Sequence, residues 1–351
     1  MSSNPISRVR AKGDAFSIGF ALGQASATGF GERALLTEEY QALEACWRGS
    51  DYLKALESAA RAAYPRFVAE LEGIAAGVGH DFETVFLWNC RGDLRLPDNV
   101  SPAAKAVAAT GCTSLLIPAE GDGPAVIAHN EDGAAELLGA CLWVEAEPDE
   151  GSAWSSFMYP GMLPGHTLGL NEAGLVQTIN NIRAHDLQLG VPRQIICRAI
   201  LDAKGLDEAV EILKRKDRAS GFHHNLGEAK TRRLLSVESP SSGCVLREVA
   251  SPRAHANHLL SREFDGLKQT ISLSSRTRQE AADRMIAEGA IAGGAEVVLF
   301  DEAIYCDKNR RDATDQTLAT SVFALFPGRV EWRVHASPDE RDTLSGTMHV
   351  V

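Results

Sequence analysis

The sequence has no excess of basic charge and no long apolar run. Its 35 Lys and Arg stand against 47 Asp and Glu, which gives a formal net charge of −12 at pH 7. Nucleic acids and anionic membranes bind basic patches, so we expect neither as the main partner. No stretch of about 18 apolar residues suggests a membrane-spanning helix, and the first residues lack the apolar core of a signal peptide. We therefore expect a cytoplasmic protein.

Metal-binding and disulfide patterns are also missing. The seven cysteines are odd in number and no two follow the C-x-x-C spacing, so neither a disulfide scaffold nor a zinc ribbon is expected. The histidine pairs in "FHHN" (His223, His224) and "HANH" (His255, His258) lack a further His or Glu at zinc-motif spacing. The acidic stretch "DKNRRDATDQ" lacks the positions of an EF-hand. We expect no metal and no cofactor.

The first third of the chain is predicted to be helical. Residues 34–78 have apolar residues three and four apart, which is typical of amphipathic helices, and Pro65 starts or bends one of them. The glycines of "GDAFSIGFALGQA" (Gly13, Gly19, Gly23) permit close packing, and a phosphate loop is the alternative, although their spacing matches neither nucleotide motif. Residues 95–110, in "RLPDNVSPAAKAVAAT", are small, polar and Pro-containing, which predicts an exposed connection.

Strands dominate the chain from Cys112 onward. Short apolar runs separated by turn residues begin at "CTSLLIP" and "PAVIAHN", continue through "HTLGLNEAGLVQTINN" and resume at "TRRLLSVES", "GCVLREVAS" and "HANHLLS". Two helices that split near Gly205 and a helix in "RTRQEAADRMIAEG" interrupt them, and "TSVFALFPGRVEWRVHAS" closes as a hairpin. Runs of helices and runs of strands predict an α+β fold with mostly antiparallel sheets.

A cysteine directly after a glycine at the start of an apolar strand has one special use. If the Gly111–Cys112 peptide bond is cut, Cys112 becomes a chain terminus that carries both a thiol and an α-amine. The amine, with an ordinary pKa of roughly 7.7–8.0, can take the thiol proton, so nucleophile and base lie on one residue. Gly111 has no Cβ and lets the thiol approach its carbonyl. On these residues alone, a structural cysteine remains the alternative.

The segments around Cys112 resemble, in order and spacing, those of the acyl-coenzyme A:6-aminopenicillanic acid acyltransferase family, the C45 group of Ntn hydrolases. The resemblance rests on "YPRFVAELEGIAAGVG" and "LWNCRGDL" before the cysteine, and on "GCTSLL", "HNEDG", "GLNEAGLVQTINN", "GVPRQIICRAILDAKGLDEAV" and "AHANHLL" after it. It implies an Ntn-hydrolase-type four-layer αββα sandwich with largely antiparallel sheets. It also implies self-cleavage into chains 1–111 and 112–351, with the first chain retained and both forming one domain.

The resemblance implies roles for four side chains. Cys112 is the self-cleavage site and then the nucleophile, and Asp132, in "HNEDG", holds the freed ammonium. Asn257, in "HANHLL", stabilises the oxyanion. Asn180, at the end of "LVQTIN", faces the nucleophile and binds the terminal amine or the substrate amide, while Asn181 points to the other face of its strand. No substrate-binding residue can be assigned.

One part of the chain departs from the family pattern. The family carries a Ser-Arg pair near its C-terminal region, whereas "TDQTLATS" has Gln316 and Thr317 at those places. The missing arginine puts in doubt a substrate carboxylate in the same position. Neither penicillin chemistry nor a coenzyme A donor is therefore transferred to this chain.

The sequence thus predicts an enzyme that hydrolyses the amide bond of a small N-acyl or peptide-like substrate through a thioester on Cys112. An acyltransferase stays open, because an amine can replace water at the same thioester. A conventional cysteine enzyme with His129 as its base and a non-catalytic binding protein of this fold also stay open. The expected partners are the small amide and the cleaved N-terminal chain, and a homo-oligomer stays open.

Overall fold

The computed structural model describes residues 6–95, 111–307, 315–339 and 343–351. The segment before Cys112 is mostly helical over its described residues, as predicted. It contains β1 (Ser7–Gly13), α1 (Ala15–Glu32), α2 (Glu38–Trp47), α3 (Asp51–Ala63), α4 (Pro65–Val78) and α5 (Phe82–Asn89). Pro65 opens α4 in its first turn, where a missing N–H leaves no helical bond unmade. The connection predicted over 95–110 lies, from residue 96 on, outside the described residues, as does most of "DKNRRDATDQ".

Helices α1 and α4 cross through glycines on both sides. A Cβ on Gly19 would lie 1.9 Å from the carbonyl oxygen of Glu70, and one on Gly23 would lie 2.3 Å from that of Ile74. From the other side, a Cβ on Gly77 would lie 2.2 Å from a backbone oxygen of α1. The close packing predicted for the glycines of α1 is therefore confirmed.

The first sheet has eight strands in the order β1-β4-β5-β6-β7-β8-β9-β10. Its later strands are β4 (Leu142–Pro148), β5 (Trp154–Met158), β6 (Leu168–Asn171), β7 (Leu175–Asn181), β8 (Phe222–Glu228), β9 (Arg233–Glu238) and β10 (Val245–Glu248). Its strand pairs are antiparallel except β1 with β4, which run parallel with Ser7 opposite Leu142. The N-terminal segment therefore supplies one edge of this sheet.

The second sheet has six antiparallel strands in the order β11-β2-β3-β12-β13-β14. They are β2 (Thr113–Ile117), β3 (Ala125–Ala134), β11 (Arg253–His255), β12 (Asp315–Phe326), β13 (Arg329–His335) and β14 (Thr343–His349). The hairpins predicted for β2–β3 and β12–β13 are confirmed. The strand predicted through "HANHLLS" is wrong beyond His255, because the backbone N–H of Asn257 binds the Ser275 hydroxyl at 2.9 Å instead of a neighbouring strand.

Further helices cover each sheet. Helices α6 (Arg193–Leu201) and α7 (Leu206–Leu213), which split at Gly205 as predicted, pack on β6, β7 and β8. Helices α8 (Leu273–Ala287) and α9 (Ala295–Leu299) pack on β11, β3 and β12. The sheets meet through β2 and β3 against β7 and β8, and the rings of Trp143 and Trp332 lie 4.4 Å apart between centroids. The predicted α+β class with two largely antiparallel sheets is confirmed, and no helix within the described ranges is long and apolar enough to span a membrane.

Candidate active site

Cys112 immediately precedes β2 and lines a small cavity of about 90 Å³. Its side chain is buried, with 6% of its surface exposed. Strand β3 runs antiparallel to β2 with Thr113 opposite Asn130, so the cysteine continues this ladder to the level of Glu131. The cavity draws walls from both segments of the chain, including Trp88 from α5 and Tyr159 from the loop after β5.

The thiol of Cys112 contacts a carboxylate. Its Sγ lies 3.2 Å from Oε2 of Glu131, which also lies 3.0 Å from His129 Nε2, and the Tyr159 hydroxyl donates to Oε1 of the same side chain at 2.5 Å. Burial, followed by the charges of Glu131 and Asp132, raises the pKa of the Cys112 thiol well above its usual range. The thiol is therefore protonated at neutral pH in the uncut chain, and Glu131 is in position to accept its proton.

Two further titratable side chains beside the cavity, those of Tyr159 and His166, each stay in one protonation state at neutral pH. Burial, together with the charge of Glu131, raises the pKa of Tyr159 well above its usual value, so its hydroxyl remains a donor. Burial lowers the pKa of His166 to about 3, so its imidazole is neutral and a weak base. Its Nδ1 lies 2.8 Å from the carbonyl oxygen of Leu163. We therefore assign no proton transfer to either residue.

Asn257 lies directly against Gly111. A Cβ on Gly111 would lie 1.9 Å from Oδ1 of Asn257, so only glycine leaves room for this contact. The amide of Asn257 is held at both ends, because Nδ2 donates to the carbonyl of Asn181 at 3.0 Å and Oδ1 accepts from Arg278 Nη2 at 2.7 Å. Arg278 also donates to the carbonyl of Cys112 at 2.7 Å. Sequence reasoning missed Arg278, which lies in the middle of α8, far from any motif.

Asp132 lies at the same end of β3. Its backbone N–H forms a hydrogen bond with the Cys112 thiol, and its Oδ1 accepts from the Thr317 hydroxyl at 2.6 Å. Thr317 is one of the two residues at the place of the family's Ser-Arg pair, and β12 carries it opposite Asp132. The other, Gln316, donates to the carbonyls of Cys306 and Thr317.

Asn180 lies between the two sheets, whereas its neighbour Asn181 lines the cavity. Oδ1 of Asn180 accepts from the Ser114 hydroxyl at 2.8 Å and from Asn225 Nδ2 at 2.9 Å, and its Nδ2 donates to the carbonyl of His255 at 3.1 Å. The fold thus brings Cys112, Asp132 and Asn257 together around the predicted cleavage site. It places Asn180 between the two sheets and not in the lining of the cavity. A catalytic role for that residue stays a prediction.

The paired histidines lie apart from the cavity. The rings of His223 and His255 stack with centroids 3.4 Å apart, and His255 Nε2 lies 3.0 Å from Glu238 Oε1. His258 instead lies 2.8 Å from the Ser275 hydroxyl. Both histidines of "HANH" therefore have partners of their own in different directions.

Three side chains at the site could together hold a metal ion. Within the described ranges, Cys112, His129 and Glu131 place one ligand atom each within 4.8 Å of the others, and all three are buried. Thiolate, imidazole and carboxylate are ligands that zinc accepts. The same atoms already hydrogen-bond through Glu131, and the absence of a metal requirement stays a prediction.

Fold and site together define a mixed α+β protein with a buried cysteine at a strand start, beside a cavity that two parts of the chain enclose. The chain matches the acyl-coenzyme A:6-aminopenicillanic acid acyl-transferase family over residues 119–339, more than half of its length, and it belongs to that family. The family predicted from the sequence is confirmed. The matched range begins after Cys112, at the turn between β2 and β3.

The similarity to one known hydrolase covers more of the chain than that range. The chain is 26% identical over 326 residues to the β-alanyl-dopamine/carcinine hydrolase of Drosophila melanogaster, which covers 83% of this chain and 81% of the relative. One comparison is with an acyltransferase family and the other with a hydrolase. Together they support the predicted class, an enzyme that acts on amides.

Proposed function

We propose that this chain is a self-cleaving amidohydrolase of the N-terminal nucleophile type, with Cys112 as its nucleophile. The observation that carries the proposal is the surroundings of the Gly111–Cys112 peptide bond, where a thiol, its carboxylate partner and the Asn257 amide meet. Helices on β6–β8, two sheets in contact, and helices on β11, β3 and β12 support a four-layer αββα arrangement. Family membership supports chemistry on amides.

The first reaction would cut the chain. Glu131 takes the thiol proton, the sulfur attacks the carbonyl carbon of Gly111, and the C–N bond to Cys112 breaks as its nitrogen gains a proton. The resulting thioester is hydrolysed by water, which leaves a Gly111 carboxylate and a free thiol. The second N–H of the Asn257 amide is the donor that we assign to the developing oxyanion, a contribution typically worth about 10²–10³ in rate.

The second reaction would use the new chain terminus. The α-amine of Cys112 takes the thiol proton, Asp132 holds the resulting ammonium through a charge-assisted hydrogen bond, and the sulfur attacks the carbonyl carbon of a substrate amide. The amine part of the substrate leaves with a proton, and water resolves the thioester. The hydrolase relative acts, by its name, on β-alanyl-dopamine and carcinine, so we propose a small amide of an amine as substrate.

The first experiment is the intact mass of freshly purified protein under denaturing conditions. We expect two chains, residues 1–111 and 112–351, from the wild type and one chain of 37.7 kDa from Cys112→Ala. Cys90→Ala is the matched control, because Cys90 is also buried but does not line the cavity. It should cut normally, and EDTA throughout should change neither result. A wild-type chain that stays uncut for days, with Cys112 inert to alkylation, would contradict self-cleavage.

Acyl transfer is the second candidate, and the family match favours it specifically. With β-alanyltyramine as a test amide, a hydrolase releases β-alanine at a rate that added amine barely changes. An acyltransferase instead forms the new amide in proportion to the added amine. An uncut chain that hydrolyses the amide and loses this activity in His129→Gln would indicate the conventional cysteine enzyme.

A further inference from the structure

The cavity contains a buried guanidinium that neither proposed reaction uses. Arg193 opens α6, is only 8% exposed and lines the same cavity as Cys112. Its Nη1 donates to Oδ1 of Asn181 at 2.8 Å and to the carbonyl of Gly221 at 3.3 Å. Its Nε is buried and has no hydrogen-bond partner among the described residues. A buried charged donor without an acceptor is costly, which points to an absent ligand.

The guanidinium packs against an aromatic ring and a glycine. The Phe222 ring centroid lies 3.9 Å from Cζ of Arg193. A Cβ on Gly92 would lie only 1.7 Å from Nη2 and 2.1 Å from Nε, so glycine there leaves the space that the guanidinium occupies. The edge that presents Nε and Nη2 forms no hydrogen bond within the described ranges. This is an edge through which arginine binds carboxylates with two parallel hydrogen bonds.

Both cations and anions surround Arg193 at this end of the cavity. Arg91 lies over Trp88, 4.4 Å from Cζ to the ring centroid, and lines the same cavity. The nearby carboxylate of Asp93 accepts from the backbone N–H of Arg193 and not from its guanidinium. Glu39 is the one carboxylate on this wall, and burial raises its pKa despite the nearby arginines. Two guanidiniums and one carboxylate therefore line this end of the cavity, and a second carboxylate, that of Asp93, lies close enough to act on the charge of Arg193.

We propose that Arg193 binds a carboxylate of the substrate, so that the enzyme prefers amides that carry one. The inference rests on the proposed function, because it assigns a subsite in the same cavity. Asn181 connects the subsite to the reaction: its carbonyl accepts from Asn257 and its side chain accepts from Arg193. The chain thus has an arginine from α6 in its cavity, although Gln316 and Thr317 replace the Ser-Arg pair of the family.

The test compares three amides with the purified wild-type enzyme. β-Alanyltyramine carries no carboxylate, β-alanyltyrosine adds one to the amine part, and succinyltyramine replaces the ammonium of the acyl part by one. We expect kcat/KM for one of the two carboxylates to exceed that of β-alanyltyramine by about tenfold or more, as charge-assisted hydrogen bonds allow. The carboxylate amide with the higher kcat/KM shows whether the subsite binds a carboxylate on the amine part or on the acyl part of the substrate. Equal or better hydrolysis of β-alanyltyramine would overturn the proposal.

If none of the three amides is hydrolysed, their binding to the protein still tests the proposal. The same compounds are then compared by the shift in thermal unfolding of the wild-type protein, in whichever state the mass measurement finds it. A shift from a carboxylate compound alone supports the subsite, and equal shifts or none overturn it. Because the mass measurement reports self-cleavage separately, failure of the proposed function and failure of the subsite are distinguishable.

The Arg193→Lys variant tests whether Arg193 causes the preference for the carboxylate amide. Lysine retains the charge but loses the two-donor edge, so the preference for the carboxylate amide should fall to about that of the uncharged reference. Arg198→Lys is the matched control, since Arg198 is also buried on α6 but binds Glu70 and does not line the cavity. It should retain the preference even if it lowers stability. A preference that Arg193→Lys leaves intact would overturn the assignment.

Discussion

Glu131 contacts the thiol, His129 and Tyr159 through its two carboxylate oxygens. Sequence reasoning passed over it, because it is the middle residue of a motif in which Asp132 carries the expected role. Glu131→Gln keeps the shape but removes the proton acceptor. We expect self-cleavage to slow by about 10²–10⁴, the usual contribution of a general base. A time course of intact mass after synthesis measures the rate.

Tyr159→Phe provides the control for this substitution. It removes the hydrogen bond to Oε1 and leaves the contact between Oε2 and the Cys112 thiol, so cleavage should slow less than in Glu131→Gln. Alkylation of the thiol gives an independent readout. Burial, followed by the charge of Glu131, raises the pKa of Cys112 in the uncut chain, so uncut Glu131→Gln should react with iodoacetamide at lower pH than freshly made wild-type chain that has not yet been cut. If Glu131→Gln cuts itself at the wild-type rate, a group other than Glu131 takes the thiol proton.

At the scale of elements, the sequence predicted those whose apolar residues repeat at helix or strand spacing. It missed β1, whose "SRVRAKG" alternates basic and apolar residues at a largely exposed sheet edge. It also missed β8, where His223 and Asn225 are buried but find polar partners on neighbouring strands, among them Ser236 and Asn180. Strand β8 has no apolar alternation, and β1 shows it only over a few residues at a sheet edge. The partners of both strands are brought to them only by the fold.

The same limit applies to the site. The motifs predicted Cys112, Asp132 and Asn257, which lie near one another in the fold. Arg278 comes from a helix with no distinctive motif around it, and Arg193 lies in "GVPRQIICRAILDAKGLDEAV", a segment that supports the resemblance but gave this arginine no role. Only the packing of α8 and α6 on opposite sheets brings each near the cysteine. The spacing of residues along one sequence does not show which distant side chains the fold brings together.

The crossing of α1 and α4 gives a prediction at this scale. A Cβ on Gly19 would lie 1.9 Å from a backbone oxygen, so Gly19→Ala must push the helices apart and should cost about 1–3 kcal/mol of unfolding free energy. Urea unfolding of the Cys112→Ala chain, in which cleavage does not intervene, measures it. Gly31→Ala on the same helix is the control. Its nearest neighbour is 3.8 Å away, and helix propensity should make it neutral or stabilising by up to about 1 kcal/mol. Equal unfolding free energies for Gly19→Ala and Gly31→Ala would contradict the close crossing of α1 and α4.

At the scale of the whole molecule, the described part of the segment before Cys112 contacts the rest of the chain at several places. Strand β1 pairs with β4, the indole of Trp88 donates to the carbonyl of Pro160 at 3.0 Å, and Asn89 donates to that of Gly161 at 2.9 Å. Trp88 and Arg91 also line the cavity. Because this segment supplies both a sheet edge and a cavity wall, we expect it to remain bound if the proposed cleavage occurs, and its retention stays a prediction.

One buried ion pair links the two segments and makes this retention testable. Arg198 Nε lies 2.9 Å from Glu70 Oε2, and both side chains are almost fully buried, at 3% and 1% exposure. Glu70→Gln removes the close partner of a buried guanidinium and leaves it, among the described residues, only Asp202, whose Oδ1 lies 3.9 Å from Nη1. Breaking a buried pair typically costs about 3–5 kcal/mol, and Asp202 keeps the expected cost at the lower end of that range. After cleavage, the 1–111 chain of this variant should separate from the remainder at lower urea than in the wild type, as measured by size-exclusion chromatography.

Glu72→Gln is the matched control for Glu70→Gln, because it makes the same change on the same helix. Glu72 pairs with Arg61 at 2.7 Å, but both side chains are about 40% exposed, at 39% and 42%. Exposed pairs contribute about 0–1 kcal/mol, and this one lies within the N-terminal segment, so its loss should leave the dissociation midpoint almost unchanged. If both variants dissociate at the wild-type urea concentration, the N-terminal chain is retained by the β1–β4 pairing and helix packing alone.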